Sequence, residues 1–368
     1  MKILVLGNID SKWVKEYIEY VLLPLGHDVD VVGDDCFCKY KAFFADHQIA
    51  IHKVYSPGSL VKHVPFFRIV SSALRTVKYN QWCNYDLIIN MFVNHRDLLI
   101  TSRLKSRQTK TVLYYTGSDL LRKSKLEIWL NRVLLRNPTK HVVGSAMLAR
   151  GFEKKYPKKV SAEIVHFGIS AFESIKEYQK KYKKDNKRKV FCIGYNGTCA
   201  HNHIAVLESF ERLAPEQKDK VELILPMTYG TPPDYLIHVK EKLDSLGIRY
   251  HQLTEFMDNE AMAKMWCHID YFINAQSTDS LSASVLEALY AGAVLVNAEW
   301  LDYPEYEMLG IKCLPFSDYE GLFNRIVEII SHEPSGEKYT AKDVLEQNMS
   351  WVAAKESWRD LLLQLESN

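Results

Sequence analysis

No apolar run in the sequence approaches the roughly 20 residues that a membrane-spanning helix needs, so any contact with a bilayer is expected at its surface. The opening MKILVLGN lacks the charged lead-in, long apolar stretch and small-residue cleavage site of a secretion signal, and it reads as a buried strand. Cysteine is sparse and unpatterned. The seven residues Cys36, Cys38, Cys83, Cys192, Cys199, Cys267 and Cys313 include no CxxC pair for zinc or redox chemistry, which implies free thiols in a reducing, cytoplasmic setting. Neither sign of charge is in excess. A formal net charge of +2 is too small for a chain that competes for nucleic-acid phosphates, so no nucleic-acid partner is expected.

Several catalytic signatures are missing too. The loop after the first strand is Gly7-Asn8-Ile9-Asp10, without the GxGxxG spacing that lets a dinucleotide pyrophosphate approach the backbone, which disfavours nicotinamide and flavin enzymes. No GxxxxGK[ST], HExxH or GxSxG occurs, which weakens readings as a nucleotide hydrolase, metalloprotease or serine hydrolase. No DxD-like acid pair and no His/Cys cluster stands at an expected strand end, so no metal is expected.

What is present is a globular composition, 47% apolar and 25% charged over 368 residues, a length that points to two domains. Short Val- and Ile-rich runs alternate with helical-period segments, the pattern of parallel strands joined by crossover helices. Strands are expected at 2–7, 28–33, 85–92, 111–117 and 141–144, then at 190–195, 221–227, 270–276 and 293–298. The charged stretch KEYQKKYKKDNKRK (176–189) between the two sets reads as a linker. The expected class is therefore α/β, with two Rossmann-like doubly wound domains, 1–170 and 190–345, and a basic linker at 171–189. A C-terminal segment, 346–368, forms an amphipathic helix with Trp351, Ala354, Trp358, Leu361, Leu362 and Leu365 on its apolar side.

Ligands of doubly wound sheets sit at the carboxyl ends of the strands. In STDSLSASVLEALYAGAVLV (277–296), Asp279 lies in such a loop, Glu287 follows in the next helix and Gly292 closes it. Glu287 either accepts hydrogen bonds from a ribose diol or merely complements the helix dipole; Asp279 either binds sugar hydroxyls or is an ordinary loop acid. The turn 194–203 supplies Gly197, Thr198, His201, Asn202 and His203 at a helix start that favours phosphate, or else its histidines are solvated caps. Leu281 and Ser282 join the donor-side set, and Tyr229, Thr254 and Met257, at two further strand ends, border a base or pack in the core. In the first domain Asn8, Asp10, Asn94, His95, Arg96, Gly117, Ser118 and Asp119 follow strands and form an acceptor side. There the loop 95–97 binds a phosphate or forms a surface ion pair.

The 277–296 segment resembles the motif of the retaining glycosyltransferase family 4, which has the GT-B fold: two acids separated by seven residues, a small-residue helix end and an apolar strand. Asp279 stands where that family usually has Glu. YYTGSDLLR (114–122) is similar to the family's HGSD-type segment, with Thr116 in the His position, AEIVHFGISAF (162–172) to its glycine turn closing the first domain, and SWVAAKESW to its terminal helix. IGYNGTCAHNHIAVLESF with LPMTYGTPPDYL is similar to transferases of 4-acetamido-4,6-dideoxygalactose in enterobacterial common antigen synthesis. The resemblance implies two domains facing a cleft with the last helix crossing back, and retaining transfer with Asp279 and Asp119 as catalytic residues. It implies a UDP-, GDP- or dTDP-sugar as substrate with no separate cofactor, and a glycan or lipid-linked acceptor in bacterial surface polysaccharide synthesis. A sugar-nucleotide epimerase and a non-catalytic sugar-nucleotide-binding partner are the rival readings.

The segment 122–140 combines Leu126, Trp129, Leu130, Val133 and Leu134 with flanking Arg and Lys. It either lies on an anionic membrane, placing the protein at the inner face, or turns its apolar stripe into the core.

Overall fold

The computed structural model describes residues 1–33, 38–57, 64–182, 184, 187–331 and 341–367. Cys36 and, from the expected linker, Lys183, Asp185 and Asn186 lie outside the described residues. The chain forms two compact units, Met1–Gly168 with Trp351–Asn368, and Ile169–Ser350.

The first unit is built on seven parallel strands: β1 (Lys2–Leu6), β2 (Asp28–Gly33), β3 (Ala50–Lys53), β4 (Leu87–Met91), β5 (Lys110–Tyr115), β6 (Lys140–Val143) and β7 (Glu163–Ile164), in the order β3-β2-β1-β4-β5-β6-β7. Alternate side chains of a strand point to opposite faces, so one five-residue run feeds two cores. Ile3 and Val5 pack with Tyr17, Ile89 and Tyr114 on one face, while Leu4 and Leu6 pack with Ile88, Tyr85 and Ile100 on the other. Burial on both faces is why these strands read as continuous apolar runs. β3 was not legible, because its sequence Ala-Ile-His-Lys belongs to a half-exposed edge.

The closing helix Trp351–Ser367 completes the first of these cores, and all six residues of its expected apolar side are buried. The Trp358 ring lies 4.5 Å from Tyr17 and 5.4 Å from Tyr114, and its indole N–H donates to the His166 carbonyl at 3.2 Å. Gly168 allows the approach of this helix, since a Cβ there would sit 2.4 Å from the Trp351 backbone.

The second unit carries β8 (Lys189–Ile193), β9 (Val221–Pro226), β10 (Arg249–Leu253), β11 (Tyr271–Asn274), β12 (Val294–Ala298) and β13 (Leu314–Phe316), all parallel, in the order β10-β9-β8-β11-β12-β13. The expected linker is a correction: its first part forms the helix Ala171–Lys181, which belongs to this unit. Phe172 stacks on Tyr290 with centroids 4.0 Å apart, and Lys176 pairs with Glu346 at 2.7 Å. The charges of the segment face outward and masked a short apolar stripe of Phe172 and Ile175.

In both sheets the chain works outward on one side of its first strand and then resumes on the other. The reversals fall between β1 and β4 and between β8 and β11, and loops leaving such neighbours diverge and open a crevice at their carboxyl ends.

Removing the Trp358 ring empties a fully buried position. Trp358→Ala is expected to lower unfolding stability by about 3–5 kcal/mol, whereas Val352→Ala, on the exposed face of the same helix, changes it little. Denaturant titration followed by circular dichroism measures both.

Candidate functional site

At the β8/β11 reversal three loops are bonded into one surface. The Asn202 amide donates to the Ala275 carbonyl at 2.7 Å, and the Ser277 N–H donates to the Ala200 carbonyl at 2.9 Å. The Gly197 N–H donates to the Tyr229 carbonyl at 3.0 Å, which ties in the loop after β9. Glycine is required there, because an added Cβ would fall 1.4 Å from the Thr231 hydroxyl oxygen.

Asp279 is buried in this junction. The Tyr303 hydroxyl donates to one of its oxygens at 2.7 Å, the Tyr195 hydroxyl lies 3.3 Å from the other, and the Ser282 N–H approaches at 3.3 Å. Burial first, and then the charge of Asp279, push both tyrosine hydroxyls well above the ordinary phenol range, so they stay protonated and act as fixed donors. Neither tyrosine was singled out from sequence: Tyr303 arrives from the loop after β12, and its partner stands 24 residues earlier. Between Asp279 and the helix Ala283–Ala291 the half-buried Leu281 adopts φ +67°, a backbone conformation that side-chain-bearing residues rarely take outside constrained sites. Ser282 caps that helix by accepting the Ser284 N–H at 3.3 Å.

Glu287 lies in the second turn of the helix, beyond the first turn where the dipole reading would apply. It is 7% exposed and accepts the Trp266 indole N–H at 2.9 Å, an interaction the sequence reading missed because Trp266 sits on the separate helix Asn259–His268.

The histidines are placed differently from either expectation. His201 and His203 are buried, neither solvated caps nor open to a phosphate, and among the described residues neither ring nitrogen of His201 has a partner. Burial pushes His201 down to about 3, with His203 a lesser cause, and His203 to about 4, so both rings are neutral near pH 7. At the start of the helix His203–Glu211 the Tyr235 hydroxyl lies 3.3 Å from His203 Nδ1. Thr198 directs its N–H to the Asn196 side chain at 2.9 Å, so the amides of Gly197 and Thr198 are already used. Of the outlying donor-side residues, Tyr229 is exposed on the loop after β9; Thr254 and Met257 follow the edge strand β10, away from the reversal.

In the first unit Asp119 is fully buried, with its oxygens receiving the N–H groups of Val93 at 2.9 Å, Thr116 at 3.0 Å and Gly117 at 2.9 Å. Burial raises its carboxyl pKa against the pull of those donors. Asp119 therefore clamps the loops after β4 and β5 and is a positioning residue, a correction of its expected catalytic role. Gly117 takes φ +149° at the start of the turn Ser118–Leu121, and Ser118 is exposed beside it. Residues 95–97 are the first turn of the helix His95–Leu104, not a loop. Asn94 caps it through the Asp97 N–H at 3.1 Å, Arg96 pairs with the buried Asp97 at 2.9 Å, and the His95 pKa is lowered by burial. Asn8 and Asp10 are exposed after β1, with Asp10 accepting the Lys39 N–H at 2.8 Å. Between them and Gly117 stands Phe92, unforeseen from sequence, at φ +75° with a 42% exposed ring at the end of β4.

Well above pH 6.5 His201 and His203 are neutral in both folded and unfolded chains. As pH falls below that value the unfolded chain takes up protons that the folded one refuses until about pH 4 for His203 and about pH 3 for His201. Stability is expected to decline by about 1.4 kcal/mol per pH unit per histidine across that window, and His201→Gln/His203→Gln to flatten the slope. Denaturant midpoints at a series of pH values measure it; an unchanged slope would exclude these rings as its source.

No protein-family model matches the chain, and no curated protein matches it. Solved structures do. Anabaena Alr3699/HepE, solved in complex with UDP and glucose, is 15% identical, with 99% of this chain and 100% of that one covered at a TM-score of 0.70. A glycosyltransferase from Rickettsia africae ESF-5 is 14% identical, with coverage of 100% and 99% at a TM-score of 0.74. The sucrose-phosphate synthase of Thermosynechococcus elongatus is 13% identical, with full coverage of both chains at a TM-score of 0.69. These neighbours are GT-B glycosyltransferases, and the two Rossmann-like units with their closing helix have the fold of that group.

Proposed function

We propose that the chain is a glycosyltransferase whose second unit binds a nucleoside-diphosphate sugar and whose first unit receives the acceptor. The observation that carries this reading is the bonded junction at the β8/β11 reversal, which sets Asp279 and Glu287 on one loop and helix beside fixed tyrosine donors. The neighbour HepE has been solved with UDP and with UDP-glucose, which supports a nucleotide-sugar donor.

In this reading the start of the helix Ala283–Ala291 receives the diphosphate, since backbone N–H groups and the helix dipole favour anionic oxygens there. Glu287, oriented by Trp266, accepts the ribose hydroxyls. As the bond from the anomeric carbon to the diphosphate breaks, charge grows on the leaving oxygen, and preorganised donors stabilise that charge more than the ground state. Asp279, engaged by the Tyr303 and Tyr195 hydroxyls and the Ser282 N–H, serves by fixing the loop that leads into this helix start. Transfer with retention is proposed because the 277–296 segment resembles the motif of the retaining family. Metal-independent transfer is proposed from the sequence, which places no DxD-like acid pair and no His/Cys cluster at an expected strand end.

On the first unit the Phe92 ring offers an apolar platform for an acceptor sugar. The acceptor is proposed to be a glycan or lipid-linked intermediate of a surface polysaccharide. Among the described residues no helix is long and apolar enough to cross a membrane. The helix Lys125–Leu134, however, exposes Leu126, Trp129 and Val133 along one side, with Ile128 turned inward and Arg122, Lys125, Arg132 and Arg136 around them, a surface suited to an anionic bilayer. A second reading, a nucleotide-sugar binder without turnover, is favoured by the three donors already engaged on Asp279.

Titration calorimetry with UDP-, GDP- and dTDP-sugars, followed by assay of nucleotide release, separates these readings: binding with release supports the transferase, binding without release the binder, and no binding sinks both. Glu287→Ala is expected to weaken nucleotide affinity by about 1.5–3 kcal/mol, with Trp266→Phe losing part of that; unchanged affinity in a folded variant would remove Glu287 from the site. Leu126→Glu/Trp129→Glu is expected to abolish cosedimentation with phosphatidylglycerol vesicles, and equal sedimentation of variant and parent would return the stripe to a solvent-facing role.

A further inference from the structure

The first unit contains a cavity of about 870 Å³ that no step of the proposed transfer uses, although Arg132 and Arg136 of the proposed bilayer surface stand in its wall. It lies behind the helix Lys125–Leu134, between the loops that enter β6 and β7, with Lys140, His141 and Glu163 from the first residues of those strands in its wall. That is the amino-terminal edge of the sheet, whereas Asn8, Phe92 and Gly117 follow the carboxyl ends of their strands.

Asn131, in the wall of this cavity, is 2% exposed, and neither its amide oxygen nor its amide nitrogen has a hydrogen-bond partner among the described residues. A buried amide with both ends unpaired is costly, and such groups are rare unless something outside the chain completes them. Its two ends ask for different complements, an acceptor for the NH₂ and a donor for the carbonyl.

The surrounding charge narrows the choice. Arg132, Arg136, Lys140 and Lys159 line the cavity against one acid, Glu163, which Lys140 engages at 2.8 Å. Arg132, Arg136 and Lys159 have no ion-pair partner among the described residues, and an uncompensated cluster around a concave wall concentrates positive potential. His141 adds no competing charge: burial, and then Arg132, push it down to about 4, and its ring faces the Tyr115 hydroxyl at 3.1 Å.

We propose that this cavity binds a phosphate ester that also carries hydroxyl groups, its anionic oxygens held by Arg132, Arg136 and Lys159 and its acceptor and hydroxyl groups satisfying the two ends of Asn131. A sugar phosphate and a glycerophosphate lipid headgroup share that chemistry. Because the cavity lies at the opposite edge of the sheet from the acceptor-side loops, its occupant binds without displacing an acceptor, and the proposal stands whether or not the chain transfers sugars.

Titration calorimetry of the full chain with glucose 1-phosphate, sn-glycerol 3-phosphate and plain glucose tests it, alongside sedimentation with phosphatidylglycerol and phosphatidylcholine vesicles. The expected result is binding of a phosphate ester but not of glucose, weakened about tenfold or more by Arg136→Glu/Lys159→Glu, two exposed positions whose reversal leaves the fold intact, and by Asn131→Leu, which removes the amide without changing charge. Affinity for nucleoside diphosphates is expected to be the same in all variants. Saturable binding of a soluble ester identifies a metabolite. Binding only of phosphatidylglycerol vesicles, reduced by Asn131→Leu although the surface charge is kept, identifies a headgroup. Should the parent bind none of these probes, or should the charge-reversed variant and Asn131→Leu bind them as tightly as the parent, the proposal falls.

Discussion

Reversal of strand order between β8 and β11 is the constraint on which the rest of the second unit depends. Parallel neighbours whose following helices lie on opposite faces cannot close the space above them, so their loops must be held by side chains or left unsupported. The chain holds them with polar bonds: Asn202 to Ala275, Ser277 to Ala200, and Tyr195 and Tyr303 to Asp279. The carboxylate is the centre of this arrangement, and the two phenols donate to it and hold it in place.

A second buried carboxylate organises the first unit. Asp119 gathers the N–H groups of Val93, Thr116 and Gly117, and so fixes the loops after β4 and β5 on either side of the strained Phe92. Each unit thus pairs a carboxylate clamp with a residue forced into the left-handed region, Phe92 in one and Leu281 in the other. Strain of this kind persists only where surrounding bonds over-determine the backbone, and Phe92 and Leu281 both follow strands that flank a reversal.

The polar groups left without partners mark a different kind of feature. His201 is sealed behind the loop after β8 and offsets its burial by staying neutral. Asn131 cannot titrate its way out of the same difficulty, and it faces a cavity surrounded by cations. That contrast separates a packed interior ring from a group that awaits a ligand.

Much of the fold was legible because apolar periodicity is a local property. The runs that became β1, β4, β5, β8, β9, β11 and β12 are buried on both faces and so are mostly apolar, and the final helix showed its six core residues by their spacing. Edge strands β3 and β13 are short and half-exposed, and the helix Ala171–Lys181 was hidden by the charges on its outer face. Of the site, the segment carrying Asp279 and Glu287 could be located from its position after a strand and before a helix. What surrounds each carboxylate could not, because Tyr303, Tyr195, Trp266 and Val93 reach their partners from separate elements, and no periodicity links residues that meet only through packing. The sequence by itself determined the buried strands, the final helix and which loops follow those strand ends. Only the tertiary structure decided that Asp119 faces inward, that His201 and His203 are neutral and enclosed, and that Asn131 is buried unpaired in the wall of a basic cavity, since burial and hydrogen-bond pairing arise between elements and not along the chain.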